Sequence, residues 1–269
     1  MHYPLWLKIT LLTIISLIGL TSQAADYAKE KRWADEIIDS ILVGDAEWLT
    51  ANNKKFLGIY TENTTAKALG GVIVVHGTGV HPNWTDIVHP LRTQLPDFGW
   101  HTLSIQMPVL ANGTKYADYA PLYDKLSARF DAAVNFFKKK GVENIVIIAH
   151  SQGSAMSAYY MANKPEHEIR GFVAVGMRGK FGGDDRLNVL KSLAKIKIPT
   201  FDLYGSQDLE SVLKATKNKM RTARKGGNKY YSQLEVAGAN HFFVEKEDML
   251  VKRVRSWLNR YAKGLELNR

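Results

Sequence analysis

The stretch NIVIIAHSQGSAMSAYYM, Asn144 to Met161, changes character at its centre. An unbroken β-branched run, residues 145–148, precedes Ala149 and His150. Small residues and aromatics at helical spacing follow. The first half reads as a strand buried on both faces of a parallel sheet, the second as a helix. Ser151 stands at the junction, with Ala149 two residues before it and Gly153 two after. A serine on a tight turn from strand into helix is held out above the sheet. Its neighbours must be small because strand and helix approach so closely there. The usual spacing is G-x-S-x-G, and this chain has A-x-S-x-G, one methyl larger. The helix start also brings main-chain N–H groups to the same point, where negative charge is stabilised. Ser151 is therefore read as a nucleophile, provided the rest of the chain supplies its partners.

Working outward, the pattern alternates. KRWADEIIDSILVGD is a predicted helix with a glycine stop at Gly44, and AEWLTANNKKFLGIYTEN a hairpin around an Asn-Asn turn. GVIVVHG follows as a buried strand, WTDIVHPLRTQL as a helix interrupted or started by Pro90, and WHTLSIQMP as a strand. LYDKLSARFDAAVNFFKKKG is helical, ahead of the strand at 144–150. Beyond the serine helix come strand IRGFVAVG, helix RLNVLKSLAKI, strand IPTFDLYG, helix ESVLKATKNKMRTARKGG, strand YYSQLEVAG and helix EDMLVKRVRSWLNRYAKG. An antiparallel start followed by repeated strand–helix units predicts an α/β fold: a doubly wound, mostly parallel sheet with an N-terminal antiparallel hairpin. No linker composition interrupts it, so residues 25–269 are expected to form a single domain. Sites in such sheets lie at the carboxyl ends of the strands. That rule selects five loops: HGTGVHPNW, PVLANGTKY, HSQGS, YGSQDLE and GANHFF.

A serine hydroxyl needs a base to take its proton. His241 in GANHFF follows the last strand and is the expected base; His150 is read as structural support. A carboxylate must orient that histidine. Asp208 in YGSQD follows the penultimate strand and is the first choice. Glu210, Asp184 and Asp185 are the alternatives, and Asp202, inside a strand, is read as structural. The oxyanion should be met by the N–H of Gln152 and by the HGTG loop, through Thr78 with Gly77 next to it, because two glycines let that backbone approach a ligand. HGTG lacks the lysine of a phosphate loop and the spacing of a dinucleotide fingerprint, so no cofactor is expected. The spacing of His76, His81 and His89 matches no familiar ligand set, so no metal is expected either.

GVIVVHGTG, AHSQG, YGSQD and GANHFF, in that order and on strand ends, resemble an α/β-hydrolase-fold serine hydrolase over nearly all of the chain after its first residues. VVHGTGVHPNW and LPDFGWHTLSIQMP resemble, more narrowly, a family of exported bacterial proteins of unknown function within that superfamily. The resemblance implies the fold and a Ser151–Asp208–His241 triad, and brings no substrate with it. The short GMRGKFGGDD connection leaves no room for a large cap domain. Tyr116, Tyr119 and Tyr123 are read either as a wall of the site or as ordinary packing.

Residues 1–24 carry Lys8, an apolar run from Ile9 to Leu20 and the small residues Ser22 and Ala24. They read as a secretory signal cleaved after Ala24, which would place the protein in the periplasm or outside the cell. The chain has no cysteine, so disulfides and thiol chemistry are excluded. The formal charge is +10, with seven Lys or Arg between Lys214 and Lys229. That stretch reads as a solvated helix face or as attraction to an anionic membrane or envelope surface; no nucleic-acid motif accompanies it. The expected function is an exported esterase or lipase-like serine hydrolase taking a small-molecule or lipid ester. A thioesterase, acyltransferase or peptidase would use the same residues. A non-catalytic envelope scaffold is the alternative class. Nothing in the sequence states the oligomeric state.

Overall fold

The computed structural model describes residues 25–262. The expected signal segment lies outside them. Eight strands form one sheet in the order β1-β2-β4-β3-β5-β6-β7-β8. They are β1 (Asp45–Ala51), β2 (Lys54–Thr61), β3 (Gly70–Val75), β4 (Trp100–Ile105), β5 (Ile145–His150), β6 (Ile169–Val175), β7 (Thr200–Gln207) and β8 (Tyr231–Asn240). β1 and β2 form the antiparallel hairpin, β2 runs antiparallel to β4, and all remaining pairings are parallel. Asn52 and Asn53 turn the hairpin with φ of 50° and 59°. Asparagine tolerates that left-handed region, and two such residues match the twist of the flanking strands.

The eight α-helices of the described chain are α1 (Tyr27–Ile38), α2 (Val88–Gln94), α3 (Ser127–Lys139), α4 (Gln152–Asn163), α5 (Val189–Leu193), α6 (Glu210–Leu213), α7 (Thr216–Lys225) and α8 (Glu247–Tyr261). They cover both faces. Successive strand residues point to opposite sides, and β3 shows how the two cores divide. Ile73 and Val75 pack with Phe130 and Phe137 of α3 and Met156 and Tyr160 of α4. Val72 and Val74 pack with Leu91 of α2 and Leu250, Val254 and Trp257 of α8. Each fully buried Val, Leu, Ile or Phe contributes roughly 1.5–3 kcal/mol relative to exposure, so these two layers hold the strand ends in fixed positions. No inserted cap domain separates β6 from β7; the connection holds a short 3-10 turn, Asp185–Leu187, and α5.

Several helix readings need correction. α1 ends at Ile38 rather than at Gly44, and Leu42 beyond it is fully solvated. The helix expected from Leu122 begins at Ser127, because Tyr116–Lys125, which contains Pro121, is wound as 3-10 helix. Proline lacks the N–H that an α-helix requires there. The helix expected over 210–227 is broken into α6 and α7. The basic stretch is not uniformly a surface either. Lys219 is fully buried, with Nζ 2.9 Å from Asp202 and 2.6 Å from the main-chain oxygen of Met177. Asp202 also accepts from the hydroxyl of Tyr231 and the amide of Gln233, so the buried pair is fully partnered.

Candidate active site

β5 delivers Ser151 in a backbone conformation of φ 52°, ψ −118°. A non-glycine residue held there stores roughly 1–3 kcal/mol of strain, and the surroundings over-determine it. The Ser151 N–H donates to Val175 O of β6 at 2.8 Å. The Ser154 hydroxyl donates to Ala149 O at 2.6 Å and its N–H to Ser151 O at 3.0 Å, so the turn is sewn shut. A side chain at Gly153 would place Cβ 2.4 Å from His76 O, which makes this glycine obligatory. Ala149 is buried between Val75 and Ala174 in the ladder, and its methyl is accommodated there.

β7 and β8 bring the other two side chains. Their ladder shifts register between Gly205 and Gln207, and Asp208 follows directly. Asn240 ends β8, and its carboxamide oxygen accepts from the N–H groups of Phe242 and Val244 at 3.0 and 3.2 Å. That side-chain turn fixes the loop carrying His241. The His241 Nε2 lies 2.9 Å from Ser151 Oγ, and its Nδ1 lies 2.6 Å from Asp208 Oδ1. The network assigns the proton to Nδ1, donated to the carboxylate, which leaves Nε2 to accept from the serine hydroxyl. The Leu209 N–H donates to the same Asp208 oxygen at 2.7 Å. His241 and Asp208 are both buried, so this contact is shielded from solvent. Gly176, at the end of β6, lies against the imidazole: a Cβ there would sit 2.9 Å from the ring.

The other carboxylates are engaged elsewhere. Glu210 is solvated and pairs with Lys214 at 2.6 Å, and that contact lowers its pKa. Asp184 binds Arg186, whose guanidinium holds the carboxyl below its ordinary value, and Asp185 binds Lys191. Asp202 belongs to the buried Lys219 pair.

Gly77 passes close to Ser151, its Cβ position lying 3.0 Å from Ser151 Cβ. The Thr78 hydroxyl donates to the Gln152 carboxamide oxygen, joining the two segments beside the serine. Among the described residues, the main-chain N–H groups of Thr78 and Gln152 have no main-chain acceptor. For Gln152 this follows from its place as first residue of α4. Both N–H groups are thus free to meet a developing oxyanion. His76 tethers this loop. Its Nδ1 donates to Gly77 O at 2.8 Å and its Nε2 accepts from the Met107 N–H at 2.9 Å. Burial depresses its pKa to about 3, so the imidazole stays neutral and can do both. His150 is equally neutral, lowered to about 3 by burial and then by His241, and its Nε2–H donates to His241 O at 3.0 Å.

Of the three tyrosines, Tyr119 does not wall the site. It is buried, and its hydroxyl accepts from the Leu110 N–H at 3.2 Å, bracing the preceding loop. Tyr123 is buried with its hydroxyl beside the Tyr116 hydroxyl and the Gln152 carboxamide. Tyr116 is partly exposed, packed edge-on to Phe181 with ring centroids 4.4 Å apart. The roles of His76 as a tether and of Arg178, whose guanidinium lies over the Tyr116 ring, were not read from the sequence. The only available signal was their position just past β3 and β6.

Solved structures similar to this chain are esterases and dienelactone hydrolases. Est1E from Butyrivibrio proteoclasticus is 14% identical with a TM-score of 0.62, the match covering 81% of this chain and 98% of that one. A dienelactone hydrolase from Anabaena variabilis is 18% identical with a TM-score of 0.66, covering 82% and 98%. The Pyrococcus furiosus esterase Pf2001 is 18% identical with a TM-score of 0.65, covering 81% and 93%. At these identities the likeness shows the α/β-hydrolase fold. No curated protein matches the sequence. The family described as "Protein of unknown function (DUF3530)" matches residues 20–121 and 114–260. With its eight-stranded sheet and its serine at the β5–α4 turn, the chain belongs to that family and has the α/β-hydrolase fold.

Proposed function

We propose that the protein is an exported serine hydrolase that cleaves carboxylic esters through an acyl-enzyme. The observation that carries this reading is the continuous contact from Ser151 Oγ through His241 to Asp208, at 2.9 and 2.6 Å, on a strained strand-to-helix turn. In the first step the serine oxygen bonds to the ester carbonyl carbon while its proton passes to His241 Nε2. Asp208 holds the Nδ1–H and stabilises the imidazolium. The carbonyl oxygen becomes an oxyanion and accepts from the N–H groups of Gln152 and Thr78. Collapse of this intermediate breaks the bond to the alcohol, which leaves with the His241 proton. Water then repeats the sequence, giving up its proton to His241 and releasing the acid and the free serine.

Export follows from the reading of residues 1–24. An anionic envelope surface as its working place is supported by the exposed Lys217, Arg221, Lys225 and Lys229 on and after α7. The test is labelling by a fluorophosphonate probe, with hydrolysis of a chain-length series of nitrophenyl esters alongside. Wild type should label and Ser151→Ala should not. Folded wild type that neither labels nor hydrolyses any ester would replace this reading with a non-catalytic scaffold.

A further inference from the structure

Arg178 stands three residues beyond β6, on a segment pinned to the site. Gly176 abuts the His241 ring. The oxygen of Met177 is held by buried Lys219. Gly179 lies against Ala215, where even a methyl group would come within 2.8 Å of its Cβ. The backbone that carries Arg178 therefore has little freedom. Its guanidinium lies 5.2 Å from the centroid of the Tyr116 ring and 5.4 Å from that of Phe181, so two aromatic faces orient it.

What the guanidinium lacks is an acceptor. Among the described residues it has neither a carboxylate partner nor a hydrogen bond, and its Nε is buried without one. The contrast is with the arginines that build the fold and with the one beside Asp184. Arg129 binds Glu30 and Gln106 O, Arg92 binds Asn83 and Val43 O, and Arg186 binds Asp184 and Asp124. A fork of donors held on two aromatic rings and left unsatisfied suits a planar anion. The chain itself ties it to the site: Arg178 follows, by two residues, the glycine whose Cβ position lies 2.9 Å from the His241 ring. On the same side, among the described residues, Tyr123 Oη and Gln152 Nε2 are buried without a hydrogen-bond partner, while the Gln152 carboxamide oxygen accepts from Thr78.

We infer that Arg178 is a specificity-determining residue that receives a carboxylate on the substrate, so that the site takes esters bearing one negative charge set back several bonds from the scissile carbonyl. The inference rests on the hydrolase reading and names its substrate class. One guanidinium matches one carboxylate rather than a phosphate dianion. A bidentate contact of this kind discriminates because losing the anion leaves the buried Nε of Arg178 unpaired again.

The test compares the 4-nitrophenyl ester of glutaric acid half-acid with its neutral methyl ester. Wild type should favour the half-acid at least about 10-fold in kcat/KM, chiefly through KM. Arg178→Gln should collapse that ratio to about one, and Arg178→Lys should restore part of it. Circular dichroism serves as the fold control. Catalysis is then removed from the question. Monomethyl glutarate should raise the Tm of Ser151→Ala and leave that of Ser151→Ala/Arg178→Gln unmoved. Equal treatment of the two esters by wild type, a ratio that survives Arg178→Gln, or no Tm shift in Ser151→Ala overturns the inference. Absence of hydrolysis and labelling together with an Arg178-dependent Tm shift would instead overturn the hydrolase reading.

Discussion

The Nε2–H of His150 donates to the main-chain oxygen of His241 at 3.0 Å, with the two rings 4.8 Å apart. The residue preceding Ser151 thus holds the backbone of the residue proposed as its base. Replacing His150 with Ala frees that carbonyl and empties a buried space beside the imidazole. We expect kcat to fall roughly 10- to 100-fold with little change in KM, since a small misplacement of a reacting group is costly in rate. Steady-state kinetics on a nitrophenyl ester check this; a loss confined to KM would refute it.

Acid should destabilise the fold through the same side chain. His76 and His150 sit at about 3 in the folded state against an ordinary 6.5, both because burial disfavours the charged ring. The unfolded chain binds the extra protons. Their contribution to stability is therefore complete above pH 6.5, falls as the pH drops below that, and is gone near pH 3. Each contributes a slope of up to about 1.4 kcal/mol per pH unit inside that window. Urea melts of wild type and His150→Gln between pH 7 and 4 should differ in slope by about that amount. Parallel pH profiles would show that His150 does not titrate on unfolding.

Ser151 trades stability for position. Its φ of 52° suits glycine, so Ser151→Gly should be more stable than Ser151→Ala by about 1 kcal/mol, although both are expected to be inactive. Equal denaturation midpoints would mean that the turn is not strained.

Asp208 and Glu210 lie two residues apart, yet only Asp208 touches the histidine. Asp208→Asn should lower kcat by roughly 10³- to 10⁴-fold, as expected when the base loses its orienting carboxylate. Glu210→Gln should stay near wild type. The reverse order would move the acid to α6.

The buried Asp202–Lys219 pair makes a separate prediction about stability. Lys219→Met leaves Asp202 charged and partly unpaired at zero exposure, which should cost about 3–5 kcal/mol. Asp202→Leu combined with Lys219→Met should recover most of that. Thermal or urea denaturation of the three variants decides it.

The serine turn was readable in sequence because its requirements are local: β-branched residues for β5, small residues around Ser151, and a helix directly after. Ser151, Asp208 and His241 were legible as a group because each follows a strand of the parallel part of the sheet, where such sheets carry their sites, and because the hydrolase resemblance implies that chain order. The site's supports were not. Lys219 looks like one more cation in a basic helix, and only the approach of β7 reveals that Asp202 faces it. His76 and His150 each precede a loop residue of the site, but their partners, Met107 and His241, are 31 and 91 residues away. The 3-10 winding of Tyr116–Lys125 is not legible because its first residues read as loop and its last, from Leu122, continue the apolar spacing of the helix that follows. α1 carries a further example, where Glu30 is buried against Arg129 of α3. Burial raises the Glu30 carboxyl and the guanidinium pulls it back down. Its surface-like composition gave no hint of that.

Gly176 sets a boundary on how this site can be altered. The imidazole of His241 rests against bare backbone at the end of β6, in the volume where any side chain at 176 would have to go. Variation that retargets the site is therefore confined to one side of that residue. On the recognition proposed for Arg178, position 178 can change what is recognised, whereas 176 cannot change without moving His241. The two positions lie two residues apart and yet have separate tolerances. A library randomised over 176–183 should return glycine at 176 among all active members while the residue at 178 varies with the ester used for selection.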